Sequence, residues 1–144
     1  MALKALSPGV NDTTTAVICV DYLTAILSCL APRHFPGQSH YEEGELRLIT
    51  IGSPFATLLA ASFDQIRGSA KGNVAVMARM LGALQTIVTL TSSARRREAL
   101  REQAQWIGEL AYRSLESEHE RALIDARLAR VHATLQEARG IRTG

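Results

Sequence analysis

Apolar residues recur at helical spacing in five stretches of the chain, and the first stretch is the most apolar of them. Residues 16–31 read A-V-I-C-V-D-Y-L-T-A-I-L-S-C-L-A. A helix that is apolar nearly all round is either buried in protein or inserted in a membrane. A bilayer span needs about 20 predominantly apolar residues, whereas polar residues such as Asp21 and Ser28 interrupt this stretch. We therefore interpret it as a central core helix that the other helices cover.

A segment rich in helix breakers, Ala5 to Asp12, precedes this helix. The S-P-G sequence at residues 7–9 cannot continue a helix, because proline lacks an N–H donor and glycine permits positive φ. Asp12 is the predicted N-cap, since its carboxylate accepts hydrogen bonds from the free N–H groups of the first turn and favours the positive end of the helix dipole. Pro32 ends the helix.

Four further helices each begin at a capping residue or a proline. Pro54 opens the second helix, Asn73 the third and Ser92 or Ser93 the fourth, while Ser117 begins a capping box before the fifth. The fourth and fifth helices carry most of the charge, so we expect them to be outer helices. The predicted inward positions of the second, third, fourth and fifth helices are, in that order, Phe55, Leu58, Leu59, Ser62, Phe63 and Ile66; Met77, Met80, Leu81, Leu84, Ile87 and Val88; Leu100, Ala104, Ile107 and Ala111; and Ile124, Leu128, Val131 and Leu135.

The region between the first two helices has β-type content. Leu46 to Ile51 alternates in part, and the Glu43-Gly44 pair before it can turn, so we predict a short hairpin with Ser39 to Glu42 as the partner strand. A lone hairpin is marginally stable, so it must lie on the helices or pair with another chain. The predicted fold is mainly α: a single domain, residues 1–144, with about five helices in an antiparallel bundle around a buried first helix and one small β-hairpin.

Composition narrows the function only slightly. The formal net charge of +2 is too small to favour nucleic acid as a partner. Cys19 and Cys29 lie ten positions apart on one predicted helix, which is about 15 Å, too far for an intrachain disulfide. We expect both thiols to be free and buried, which favours a reducing compartment.

The sequence A-L-S-P-G-V-N-D, followed by T-A, resembles the signature of a bacterial family of predicted membrane proteins called domain of unknown function 2254, whose pattern is roughly R-A-L-S-P-G-I-N-D-P-x-T-A. Lys4 stands at the usual arginine and Thr13 at the usual proline. The segments Gly44 to Ile49 and Phe63 to Arg67 are also similar to family positions.

The resemblance implies that the chain is the C-terminal, extramembrane part of a longer bacterial protein with transmembrane helices upstream. We expect that protein in the inner membrane, with this domain on the cytoplasmic side. The resemblance assigns no activity, and from the residues themselves we predict no cofactor and no metal and regard an enzyme as less favoured than a non-enzymatic domain. Our leading hypothesis is a non-enzymatic domain that assembles or regulates a membrane protein by self-association, so a homo-oligomer is expected.

An alternative hypothesis is a small-ligand, anion or metal-ion site. Carboxylates on or beside apolar segments need partners of opposite charge. Asp64 can form an ion pair with Arg67 three positions later, and Asp21 can form one with Arg67 or Arg79. Such pairs would more simply fix the packing of the helices. The candidate ligand-binding residues are Ser7, Asn11, Asp12, Asp21, Asp64 and Arg67.

A basic cluster lies at the start of the fourth helix, where positive charge opposes the helix dipole at a cost of a few tenths of a kcal/mol per charge. Its residues, Arg95, Arg96, Arg97 and Arg101, are candidates to face anionic lipid headgroups or a partner, although Glu98 and Glu102 can also neutralise them in solvent. No catalytic residues are assigned. His34, His40, His119 and His132 do not stand at a metal-binding spacing.

Overall fold

The computed structural model describes residues 6–7, 10–35, 39–42, 45–49 and 54–140, and side chains within 12–35 and 54–138. The predicted helical bundle is confirmed. In the described part of the chain its helices are α1 (Thr13–Leu30), α2 (Pro54–Ser69), α3 (Val74–Thr89), α4 (Ala94–Ser114) and α5 (Glu118–Gly140).

Short strands flank the first helix. Strands β1 (Leu6–Ser7) and β2 (Val10–Asn11) pair antiparallel in the segment that the sequence marks only as a loop. Strands β3 (Ser39–Glu42) and β4 (Glu45–Ile49) also pair antiparallel, in the region of β-type content, with a register shift between His40 and Tyr41.

Polar residues at the predicted positions begin the helices. The side chains of Asp12, Asn73 and Ser93 cap α1, α3 and α4 by accepting hydrogen bonds from N–H groups three residues later. Ser117 Oγ likewise accepts from the N–H of Glu120 at the start of α5, at 3.4 Å. These caps satisfy N–H groups that have no partner inside the helix, which is why the sequence predicts the helix starts so closely.

The helices alternate in direction. Asn73 at the start of α3 hydrogen-bonds Thr13 at the start of α1, at 2.9 Å, so these two helices run parallel. Helix α4 runs the other way, since the N–H of Gly72 before α3 donates to Ser114 at the end of α4, at 3.2 Å. Gly72 has φ of +75°, a conformation that favours glycine. Helix α5 returns antiparallel to α4, with Leu128 packed close to Gly108.

The central helix is α3, not α1. Helix α3 contacts α1 on one side, α5 on the other and α4 across the core, whereas α1 contacts mainly α3. Helix α1 is therefore at the edge of the bundle, and our prediction that it is buried at the centre is wrong. Only three of its residues are buried: Ala16, Val20 and Leu27. The buried residues of α3 are Val76, Met77, Met80, Leu81, Ala83, Leu84, Ile87 and Val88.

Most of the predicted inward positions are buried. All six predicted for α3 and all four predicted for α4 belong to the core. The exceptions lie on α2, where Leu58 is 41% exposed and Ser62 is only half-buried, and on α5, where Leu128 is only partly buried. The thiols of Cys19 and Cys29 are free, as expected, but Cys19 is only half-buried and Cys29 is exposed. Both cysteines belong to α1, which lies at the edge of the bundle, and this explains their exposure.

Candidate functional site

Asp12 acts as a helix cap. Its carboxylate accepts a hydrogen bond from the N–H of Thr15 at 3.0 Å and another from the Thr15 hydroxyl. These bonds favour the charged form, so they hold the pKa of Asp12 below its usual value. Ser7 and Asn11 lie in β1 and β2 just before this cap.

Asp21 faces α3 and forms an ion pair with Arg79, one of the two partners that the sequence allows. The Asp21 carboxylate raises the pKa of Arg79 above its ordinary value. Both side chains remain about half exposed, 43% for Asp21 and 54% for Arg79. The pair borders a cleft whose wall also includes Arg127 of α5. It ties the edge helix α1 to the central helix.

Asp64 and Arg67 belong to a polar cluster between α2 and α4. Their predicted ion pair is confirmed, with 2.9 Å between Arg67 Nη1 and Asp64 Oδ1. Gln103 of α4 completes the cluster: its Nε2 donates to Asp64 at 2.8 Å and its Oε1 accepts from Arg67 at 2.6 Å. The Arg67 guanidinium also lies 4.7 Å from the centre of the Trp106 ring. Gln103 is only 2% exposed, so the cluster joins two helices internally.

The candidate ligand residues therefore occupy three separate places. Asp12 caps α1, Asp21 pairs with α3, and Asp64 and Arg67 pair with α4. Each of these charged groups has a partner within the chain. Within the described residues no group of three or more metal-ligating side chains is found. Sequence reasoning did not identify Gln103 or Trp106 as part of this cluster. The sequence of α4 alone does not show that the side chain of a glutamine on the inward face will meet an ion pair of another helix.

Two residues of the basic cluster hold the ends of other helices. Arg96 Nη1 donates to the carbonyl of Ala31 after α1, at 2.6 Å. Arg97 donates through Nε to the carbonyl of Thr91 at 3.0 Å and through Nη1 to that of Ala138 in α5 at 2.9 Å. Carbonyl groups at a helix C-terminus carry partial negative charge, so these bonds offset the unfavourable position of the arginines at the start of α4. Arg101 pairs with Glu98, and Arg95 is exposed.

A cleft of about 470 Å³ opens at this end of the bundle. Its walls are the turn that follows α1, the end of α3 with the turn to α4, and the first turn of α4. Among the described residues, the lining includes polar groups of the α3–α4 turn, such as Ser92 and Ser93, and no acidic residue. The lining residues that can carry positive charge are Arg33, His34, Arg96 and Arg97.

The outer face of α1 is a second surface without an evident structural role. Ile18, Tyr22 and Ile26 follow one another at intervals of four on this face, and their exposed fractions are 47%, 70% and 57%. By length and composition, α1 is the helix in the described part of the chain that could cross a membrane. Only 17% of its residues are fully buried within the domain, so its outer apolar face is available for contact.

The chain belongs to a family of predicted membrane proteins, domain of unknown function 2254, whose model matches residues 1–86. Among its relatives are uncharacterized proteins of Mycobacterium tuberculosis and Mycobacterium bovis, each 32% identical over 131 residues. The matched region is 90% of this chain but only 25% of each relative, so the chain spans about a quarter of their length. No solved structure matches the chain.

Proposed function

We propose that this chain is a non-enzymatic extramembrane domain that assembles or regulates a larger bacterial membrane protein through self-association. The observation that carries the proposal is the outer face of α1, the stripe formed by Ile18, Tyr22 and Ile26. Membership in a family of predicted membrane proteins supports the setting. The relatives' greater length leaves room for the transmembrane segments that we place upstream.

A second copy of the chain fits this stripe best. Two α1 helices packed antiparallel about a two-fold axis would place Tyr22 opposite its own copy and Ile18 opposite Ile26, because a two-fold contact is self-complementary. The stripe contains no charged residue, and the nearby Asp21 is already paired with Arg79. An exposed tyrosine also supplies the large, amphipathic contact area that is enriched in protein interfaces.

The contact should be weak in isolation. One helix on one helix buries less than the roughly 800 Å² per partner of a standard stable interface. We therefore expect association that depends on concentration, which tethering in a membrane would favour. We also propose the cytoplasmic side of the inner membrane, where the free Cys19 and Cys29 would remain reduced.

Sedimentation velocity over a range of protein concentrations tests the proposal. The chain should shift from monomer to dimer as concentration rises, and Tyr22→Glu should abolish the shift, because it places a charge at the centre of the contact. Tyr112→Glu is the matched control, since Tyr112 is a tyrosine of similar exposure, 75%, on α4. Circular dichroism confirms that both variants fold.

Three outcomes would contradict self-association through α1. The first is a chain that stays monomeric at every concentration. The second is a dimer that both tyrosine variants weaken equally, which would move the interface away from α1. The third is a monomer that binds lipid vesicles through Tyr22, which would make the stripe a membrane contact instead.

A further inference from the structure

We infer that the cleft between the turn after α1 and the first turn of α4 binds a phosphate ester. The cleft is distinct from the α1 stripe, and its binding does not depend on self-association. Its ligand groups are side chains of the α1 turn, chiefly Arg33 and His34, together with Ser92, Arg96 and Arg97 on the opposite wall.

Arg96 and Arg97 carry positive charge that no carboxylate balances. Both donate hydrogen bonds to backbone carbonyl oxygens, which carry only a partial negative charge, and neither has a carboxylate partner among the described residues. Glu98, the acidic residue next to them in sequence, is paired with Arg101. An anion in the cleft would therefore meet two cationic side chains without displacing an ion pair.

The cleft also contains hydrogen-bond donors that are not in use. A guanidinium has five N–H groups, and the side-chain hydrogen bonds use only Nη1 of Arg96 and only Nε and Nη1 of Arg97. Arg33, His34 and Ser92 line the same cleft, and the side chain of each has no hydrogen-bond partner in the described part of the chain. Arginine and hydroxyl donors are the groups that recognise phosphate oxygens.

Two of the arginine side chains in the cleft are already held in place. The Arg96 guanidinium lies against two aromatic rings, 5.0 Å from the centre of Phe35 and 5.4 Å from that of Phe55. Arg97 is held between the carbonyls of Thr91 and Ala138. Side chains fixed in this way lose little further rotational freedom when a ligand binds, which favours affinity.

The size of the cleft indicates an ester and not phosphate alone. A cleft of about 470 Å³ lies within the usual range for small-molecule sites, roughly 300–1,000 Å³, and is larger than a phosphate ion needs. The ligand is thus a phosphate group that carries a small organic substituent. Such a group can come from a soluble phosphate ester or from the headgroup of an anionic phospholipid.

Isothermal titration calorimetry of the 144-residue chain with glycerol 3-phosphate tests the site. Binding should saturate at one ligand per chain, and Arg33→Gln should weaken it by about tenfold, the loss expected for one charge-assisted hydrogen bond. Arg130→Gln is the matched control, since Arg130 is an exposed arginine on α5 without a side-chain partner among the described residues. It should change the affinity by less than about twofold.

Amide chemical shifts then locate the ligand, and vesicles distinguish its source. Glycerol 3-phosphate should shift the amide signals of residues 92–97. Binding of phosphatidylglycerol vesicles, but not of pure phosphatidylcholine vesicles, with the same loss in Arg33→Gln identifies a lipid headgroup. Binding of the soluble ester without vesicle binding identifies a soluble ligand.

The inference is overturned by any of three results. The ester fails to bind in a saturable way; Arg33→Gln and Arg130→Gln weaken binding equally, which indicates charge attraction without a site; or vesicles bind through residues outside the cleft while the ester does not bind.

Discussion

Helices α1 and α3 run side by side in the same direction, yet they differ sharply in burial. Helix α1 buries three residues and α3 buries eight, although both are apolar along most of their length. The difference comes from position. Helix α3 has α1, α5 and α4 around it, whereas α1 has one major neighbour. An apolar helix at the edge of a bundle keeps an apolar face that can contact something outside the domain, which is why the proposed assembly role falls on α1 and not on α3.

The largest expected effect compares the same residue type on the two helices. Ile87 of α3 is fully buried, whereas Ile26 of α1 is 57% exposed. Ile87→Ala should lower the free energy of unfolding by about 2–5 kcal/mol, because it removes buried methyl groups and leaves a cavity. Ile26→Ala should change it by less than about 0.5 kcal/mol. Urea denaturation at a concentration where the chain is monomeric measures both, and equal losses would refute the assignment of α3 as the central helix.

A smaller effect tests how firmly α2 is held against α4. Helix α2 is joined to α4 by the buried Gln103, which contacts Asp64 and Arg67. Gln103→Ala should cost about 1–3 kcal/mol of unfolding free energy, since it leaves the partly buried ion pair without its third member. Gln105→Ala is the control, because the exposed Gln105 bonds only Glu109 at 3.2 Å. If the two variants unfolded at the same urea concentration, the cluster would contribute nothing to the packing of α2.

The ion pair between α1 and α3 should contribute less. Asp21 and Arg79 are about half exposed, and exposed pairs are worth roughly 0.2–1 kcal/mol. A double-mutant cycle with Asp21→Ala and Arg79→Ala should give a coupling energy in that range that falls as salt is added. A coupling well above about 1 kcal/mol, or one insensitive to salt, would show that α1 is held more firmly than its exposure indicates.

These contrasts also explain which features the sequence predicts. The caps at Asp12, Asn73 and Ser93 are local, because each side chain bonds an N–H three residues away, so the sequence predicts the helix starts. The predicted Asp64–Arg67 pair is local for the same reason. The identity of the central helix is not local. Apolar composition shows that a helix has apolar surface to bury, but only the arrangement of the other helices decides whether that surface is buried.

The contacts of the cleft residues are likewise not local, so the sequence does not predict them. The sequence marks the basic cluster as unusual, since positive charge at a helix start is unfavourable. It gives no indication that Arg96 reaches Ala31, which lies 65 positions earlier, or that Arg97 reaches Ala138, 41 positions later. The cleft exists because the ends of α1 and α3 meet the start of α4. Its lining is a product of tertiary packing, and so is the proposed phosphate site.

The smallest effect is the part of a cap's contribution to stability that depends on pH, and it distinguishes the cap of α1 from the cap of α3. Hydrogen bonds from Thr15 lower the pKa of Asp12 from 3.8 in the folded chain, so its ionised form adds stability above that pH and loses it as the pH falls through the lower, folded value. Asp12→Ala should therefore lower Tm by a few degrees near neutral pH, and the difference should shrink below about pH 3.8. Asn73→Ala removes the uncharged cap of α3, and its effect on Tm should not vary over this range. Thermal melts across acidic pH compare the two variants, and a pH-independent loss for Asp12→Ala would show that ionisation of Asp12 does not support α1.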